Sequence, residues 1–320
     1  MKTSTDELAE RYRLFATQEA KGVSPLYESF ANSVAENTSL LQKLLKLPLG
    51  KQQPNLLFAA ARHAVGLPEG GTDFAAHTLP SWDAVAPVIL ARSTQTNEPA
   101  RCACLLPALA RIDEPLAIIE VGASAGLCLL IDRYGYDYGS ARLTPPNSDA
   151  PVFQCRASAS TPVPENYPQI VWRAGIDVNP LSVTNDDDMQ WLKTLVWPEQ
   201  VERLSKLESA IAIARQNPPT VHSGDLLMDI EAMAAEAPSD ARLVIFHTAV
   251  LNYVPLATRR QFAALARDIG AEWIANEGVR VLPDIAGLDE FEHRSGAFVL
   301  SHNGQPLART GPHGQFVDWL

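Results

Sequence analysis

The segment Glu120-Val-Gly122-Ala123-Ser124-Ala-Gly126 places small residues at alternate positions directly behind an acid. Such residues let a backbone turn sharply and approach a ligand, and the free amides opening a following helix would point at it. Glu120 is positioned to accept bonds from an amino or hydroxyl group, and Ser124 carries the turn's one hydroxyl. Asp177, within Gly175-Ile-Asp177-Val178-Asn-Pro180, suits a vicinal diol and repels a phosphate, or else caps the turn before Pro180. His247, ahead of Asn252 and Tyr253, offers either a general base, because imidazole titrates near neutrality, or a core histidine with both nitrogens satisfied. Glu277 faces the same choice between a cleft and an ion pair. The run Gln95-Thr96-Asn97-Glu98 with Arg101 reads as a lid over the amino-acid end of a cofactor held at the turn, or as a helix cap followed by a pair three residues apart. No set of residues has metal-ligand spacing: Asp186-Asp-Asp188 suits an acidic first helical turn, and Cys102, Cys104, Cys128 and Cys155 read as buried reduced thiols.

Strands with helices between them must position these residues. Leu116–Val121 is an Ile/Val-rich run that precedes the Gly122 turn and a helix expected over Leu127–Tyr134. Further strand signals cover Ile170–Val178, Pro219–Ser223, Leu243–His247 and Glu272–Glu277, with helical stretches at Asp186–Gln216, Leu227–Ala237 and Leu256–Ile269. Such alternation implies an α/β fold with a mostly parallel sheet. At the end, Ala297–His302, Asn303-Gly304 and Gln305–Thr310 spell a hairpin, and Gln315–Leu320 a further strand. The first hundred residues instead carry helical periodicity, broken by a Gly/Pro-rich loop at 68–80. The expected domains are therefore helical over 1–113 and α/β over 114–320, with an insertion at about 134–169 that holds a short hairpin around Val152–Arg156.

The turn at Glu120–Gly126 resembles motif I of class I S-adenosylmethionine-dependent methyltransferases, with Ser124 in place of the middle glycine. That resemblance implies a Rossmann-like methyltransferase sheet with an antiparallel C-terminal hairpin, preceded by an all-helical N-terminal domain. It further implies S-adenosylmethionine as cofactor, with Gly122, Ala123, Ser124 and Gly126 as its cradle and Asp177 with Val178 at the ribose. Asp225 with Leu226 would meet the adenine, and His247, Asn252 and Tyr253 the methyl-transfer site. The whole chain also resembles the bacterial domain-of-unknown-function family DUF2332, through Gln53–Ala60, Gln95–Glu98 with Arg101, Asp132–Gly139, Gly175–Pro180, Trp191–Arg203 and Trp273–Gly278. No activity comes with that family.

Gly122-x-Ser124-x-Gly126 also fits the nucleophile elbow of α/β-hydrolases, which would make Ser124 a nucleophile served by Asp284 and one of His293, His302 or His313. Against it, no His-Gly-Gly segment precedes the elbow, and only helical signals lie upstream. A binding module without catalysis is the third reading. Composition narrows the partners: Lys plus Arg total 26 against 37 Asp plus Glu, a net charge of −11, and no basic run tracks a phosphate backbone. Nucleic acid and membrane are therefore not expected partners, a small-molecule acceptor is favoured over a protein, and the expected location is the cytoplasm.

Overall fold

The computed structural model describes residues 4–69, 73–282 and 297–320. Asp284 and His293 lie outside these described residues. The chain divides into two compact units, residues 1–96 with 186–205 and residues 97–185 with 206–320.

The described elements of the first unit are helical. Helix α1 (Thr5–Leu14) opens with a capping box in which Ser4 and Glu7 satisfy each other's backbone amides, and it continues as a π-helical turn over Phe15–Ala20. Helices α2 (Pro25–Glu36) and α4 (Pro54–Val65) begin with proline in the first turn, where its missing amide costs nothing, and α3 (Thr38–Leu44) is capped by Asn37. A short α5 (Phe74–Thr78) interrupts the stretch expected to be loop, because the Asp73 carboxylate caps Ala76. Helix α6 (Trp82–Ala91) follows. Later in the chain, α8 (Asp186–Thr194) joins this unit, and Trp191 is buried in the same core. Arg92 reaches Asp187 and Asp188 at the start of α8, and the Trp191 indole donates to the Ser93 carbonyl. Phe58 is the hub of the core, in edge contact with Tyr12, Phe15, Tyr27, Phe30 and Phe74.

The second unit is built on a sheet. Helix α7 (Cys102–Leu109) leads into β1 (Leu116–Val121). A small three-stranded sheet follows, made of β2 (Gly135–Asp137), β3 (Arg142–Leu143) and β4 (Val152–Gln154). The hairpin expected at Val152–Arg156 is absent: β4 pairs parallel with β2, whereas β5 (Arg156–Ala157) pairs with the last strand of the main sheet, so Cys155 marks a passage between sheets. Next come β6 (Ile170–Asp177), α9 (Val201–Gln216), β7 (Val221–Ser223), α10 (Ile230–Ala234), β8 (Arg242–Thr248), α11 (Leu256–Asp268) and β9 (Glu272–Gly278). Strands β10 (Phe298–His302), β11 (Gln305–Thr310) and β12 (Phe316–Trp319) close the chain. The nine-stranded order is β5-β12-β11-β10-β9-β8-β1-β6-β7. Strands β7, β6, β1, β8 and β9 are mutually parallel, and the hairpin strands run antiparallel beyond β9.

Alternation of side chains fixes what each face does. Ile119, Val121, Ile245, Trp273 and Ala275 share a core with Ile230 and Met233 of α10 and Phe262 and Ala266 of α11. Glu120, between two of those residues, points to the opposite face. Among the described residues, no helix is long and apolar enough to cross a membrane.

Phe58→Ala would empty the centre of the aromatic cluster and is expected to destabilise the helical unit by about 3–5 kcal/mol, read as a lower urea midpoint.

Candidate functional site

Strand β1 connects onward to β6 on one side, and the chain later returns to β8 on the other, so the sheet's direction of growth reverses at β1. Crevices that bind ligands in open α/β sheets lie at the carboxyl ends of strands beside such a reversal. The Gly122–Gly126 turn sits at this point.

Its geometry is set by close approaches. A Cβ on Gly122 would lie 2.5 Å from the Val250 methyls, and its φ is +69°. One on Gly175 would meet the Ala123 Cβ at 2.6 Å, so glycine on β6 admits the turn. Ser124 and Ala249, on the two loops flanking the crevice, are both non-glycine residues in the left-handed region, at φ +53° and +58°. Each costs about 1–2 kcal/mol and is held there by its surroundings. The turn's amides are largely engaged: Gly122 and Ala123 donate to the Ile176 carbonyl, Ser124 to Asp177 Oδ2 at 2.8 Å, and Leu127 to Asn97 Oδ1 at 2.8 Å. They do not form an open nest for phosphate.

The helix expected over Leu127–Tyr134 is instead a kinked 3₁₀ segment, Leu127–Arg133. Its carbonyls are taken by side chains from elsewhere: Tyr134 Oη donates to Leu127, Arg173 Nη1 to Leu129 and Tyr136 Oη to Ile131. A run buried through Leu127–Ile131 has no amphipathic face, and these competing donors replace the α-helical ladder.

Asp177 uses Oδ2 for the Ser124 amide and Oδ1 for the Asn179 amide, so it both ties β6 to the β1 turn and caps its own turn. Val178 beside it is 78% exposed. Asp225 Oδ1 accepts from the Leu227 and Met228 amides, a local cap, and Leu226 is half-buried. Asn252 and Tyr253 form a 3₁₀ turn at the rim, with Tyr253 73% exposed.

His247 lies in the core with both ring nitrogens engaged. It is fully buried; its Nε2 accepts from the Trp273 indole (3.0 Å), which can only donate, so the proton rests on Nδ1 and points to Glu277 Oε1 (2.7 Å). Both nitrogens are occupied, as in a core histidine. Glu277 Oε1 also accepts the Val250 and Leu251 amides, so this carboxylate anchors the loop that packs on Gly122.

On the opposite face the strap Asn97–Arg101 crosses the same end of the sheet. Asn97 caps Leu127 rather than its own helix, and Glu98 caps Ala100. Arg101 donates from Nε to the Pro312 carbonyl (2.8 Å) and from Nη1 to that of Thr248 (3.2 Å). It does not pair with Glu98 in the manner its spacing suggests. Gln95 and Thr96 close the helical unit. Three residues that sequence reasoning passed over join this face: Asn276 donates to Thr248 Oγ1 and accepts from Thr310 Oγ1. Their one signal was a polar residue inside an otherwise apolar strand, beside Glu277.

Three buried polar atoms at this edge have no hydrogen-bond partner among the described residues: Glu120 Oε2, Ser124 Oγ and Glu277 Oε2. Burial pushes the Glu120 carboxyl well up, the Cys128 thiol and the Asp177 carboxylate add to this, and Arg101 opposes it. The histidines proposed to serve Ser124 lie elsewhere: His302 pairs with Glu272 and aligns with Ile274, toward the amino end of β9, and His313 lies beside Glu98. Among the described residues, no group of three or more His, Cys, Asp or Glu is placed to hold a metal ion.

Fold and edge define an α/β protein whose polar residues gather at the carboxyl ends of a mostly parallel sheet. The chain belongs to DUF2332, described as uncharacterised protein conserved in bacteria, whose model matches residues 9–319. Neither the curated proteins nor the solved structures give a match.

Burial raises the Glu120 carboxyl in the native state well above the value near 4.5 of the unfolded chain, so stability falls as pH rises above 4.5. Glu120→Gln, neutral in both states, is expected to be more stable than the parent at pH 8, with the difference shrinking toward pH 5. Equal differences at both pH values in urea titrations would contradict this. A second test concerns packing. Gly122→Ala should lower the melting temperature, and Val250→Ala in the same chain should restore part of the loss by removing the clash.

Proposed function

We propose that the sheet unit binds S-adenosylmethionine at its carboxyl edge and transfers the methyl group to a small-molecule acceptor. The observation that carries this reading is the coincidence of the sheet's reversal at β1 with the Glu120–Gly126 turn, where Glu120 Oε2 and Ser124 Oγ are buried without hydrogen-bond partners among the described residues. Strand order β7-β6-β1-β8-β9 supports a Rossmann-like sheet of the class I methyltransferase kind, and the β10–β11 hairpin agrees with its reversed edge. The occupied amides of the turn favour a nucleoside without phosphates over a dinucleotide.

When bound, the cofactor supplies a methyl group on a sulfonium, ready for in-line displacement. The chain's part is to hold and to desolvate. Asp177, whose carboxylate accepts the Ser124 and Asn179 amides, ends β6 where a ribose would lie. Val178 and Met228, 78% and 80% exposed on adjacent loops, offer apolar surface for a base. Asn252 and Tyr253 at the rim are the residues left to contact an acceptor, since His247 is committed to Trp273 and Glu277. The net charge of −11 favours an acceptor other than DNA or RNA.

Titration calorimetry with S-adenosylmethionine and S-adenosylhomocysteine tests the reading. One-site saturable binding by both is expected, with Asp177→Asn weakening it about tenfold or more, roughly 1.4 kcal/mol. Binding by neither would overturn it.

A further inference from the structure

Braces from the strap, from β9 and from α11 converge on the loop after β8. The Thr248 carbonyl accepts from Arg101 Nη1 (3.2 Å), Thr248 Oγ1 accepts from Asn276, and the Ala249 amide donates to the Asn276 carbonyl. The Val250 and Leu251 amides end on Glu277 Oε1. Arg259, on α11, completes the set: Nε donates to the Val254 carbonyl (2.6 Å), Nη2 to that of Asn252 (3.4 Å) and Nη1 to that of Val281 (2.7 Å), beyond β9. A planar guanidinium bonded to three carbonyls fixes both segments at once. Ala249 keeps its left-handed φ of +58° inside this frame because its surroundings over-determine it. Two side chains are left outside the frame: Asn252 is exposed, and Tyr253 is 73% exposed.

Formal charge is missing from the same place. Strands β6, β1 and β8 are neighbours in the sheet, and the residues that follow them, 178–185, 122–131 and 248–255, include no Asp, Glu, Lys, Arg or His in a chain of which 20% is charged. The acids at the strand ends, Glu120 and Asp177, are buried. Large hydrophobic residues are exposed instead: Val178, Met228, Tyr253 and Leu256 follow β6, β7 and β8, and among the described residues of the sheet unit only Val171 and Leu320 are so exposed elsewhere. A concentration of this kind on one edge marks a binding surface. An ion seated on it would lose water without meeting an opposite charge, so the surface suits a neutral ligand.

We propose that the loop after β8 is a preformed platform for an uncharged aromatic ring, which stacks on Tyr253 while the Asn252 amide bonds a hydroxyl or amino substituent. Arg259 is the positioning residue that holds both. The reading above makes this ring the methyl acceptor, and only that assignment rests on it. A tyrosine ring offers a wide, rigid contact face with few torsions to freeze, and aromatic pairs gain from offset stacking. Asn252 supplies both donors and an acceptor, so it serves a phenol or an aromatic amine, which are uncharged at neutral pH. A loop fixed before the ring arrives has little ordering left to do on binding.

Saturation-transfer NMR of the full chain at neutral pH with benzyl alcohol, benzoate and benzylammonium, which share a ring and differ in charge, tests the platform. Benzyl alcohol is expected to respond about fivefold or more strongly than either ion, and Tyr253→Ala should remove that response. Arg259→Gln should reduce it and Arg259→Lys, which keeps one donor group, should restore part, each read at a temperature where the variant retains the parent's circular dichroism. An equal response to the three probes, or a benzyl alcohol response unchanged in Tyr253→Ala, would overturn the platform. So would a parent dimer that Tyr253→Ala converts to monomer in sedimentation, since Tyr253 would then face a second copy of the chain. Calorimetry with S-adenosylhomocysteine on the same samples reports on the cofactor reading separately. Ring binding without cofactor binding would overturn the ring's assignment as acceptor and leave the platform standing.

Discussion

Asp177 Oδ2 accepts the Ser124 amide at 2.8 Å, and that bond couples the end of β6 to the turn after β1. The turn can close on β6 only because Gly175 leaves room for Ala123, and the loop after β8 can close on the turn only because Gly122 leaves room for Val250. Glu277 then secures that loop by accepting the Val250 and Leu251 amides. Four consecutive parallel strands, β6, β1, β8 and β9, are in this way bound together at their carboxyl ends by side-chain and backbone bonds that lie outside the sheet ladder. The left-handed conformations of Ser124 and Ala249 are the cost of that closure, and they occur on the two loops that flank the reversal of the sheet.

Polarity at this edge is divided between the two faces. On one face Glu277 Oε1 is met by three donors, from His247, Val250 and Leu251, in a buried setting. On the other, Glu120 has no such set of donors, and its environment of thiol and carboxyl groups favours the neutral acid. Two glutamates ending strands two places apart in the sheet thus meet different surroundings. Glu277 is a structural anchor, whereas Glu120 carries an unspent hydrogen-bonding capacity at the place where a ligand is proposed.

Much of the α/β plan was legible because its signals are local. Ile/Val-containing apolar runs marked β1, β6 and β8, and Asn303-Gly304 marked the final hairpin. What could not be read depends on partners that local patterning does not reveal. The run after Gly126 has a helix's composition, but tyrosine and arginine donors from other elements claim its carbonyls. Val152–Arg156 looks like a hairpin, yet its two halves pair with strands of different sheets. At the candidate site, the residue types and their strand-end positions were readable. Their roles were not: His247 differs from a base only through Trp273, and Arg101 turns to Thr248 and Pro312 rather than to the neighbouring Glu98. Thr248, Asn276 and Thr310 gave almost no signal, because a single polar residue in a strand is common and only register brings them together.

The central claim is that the carboxyl edge at the β1 reversal is the ligand site of this DUF2332 member. A crystal structure of the chain grown with S-adenosylhomocysteine tests it most directly. Ligand density is expected against the Glu120–Gly126 turn, with the ribose hydroxyls on Asp177. Density at any other place in the sheet unit, with this edge unchanged, would contradict it.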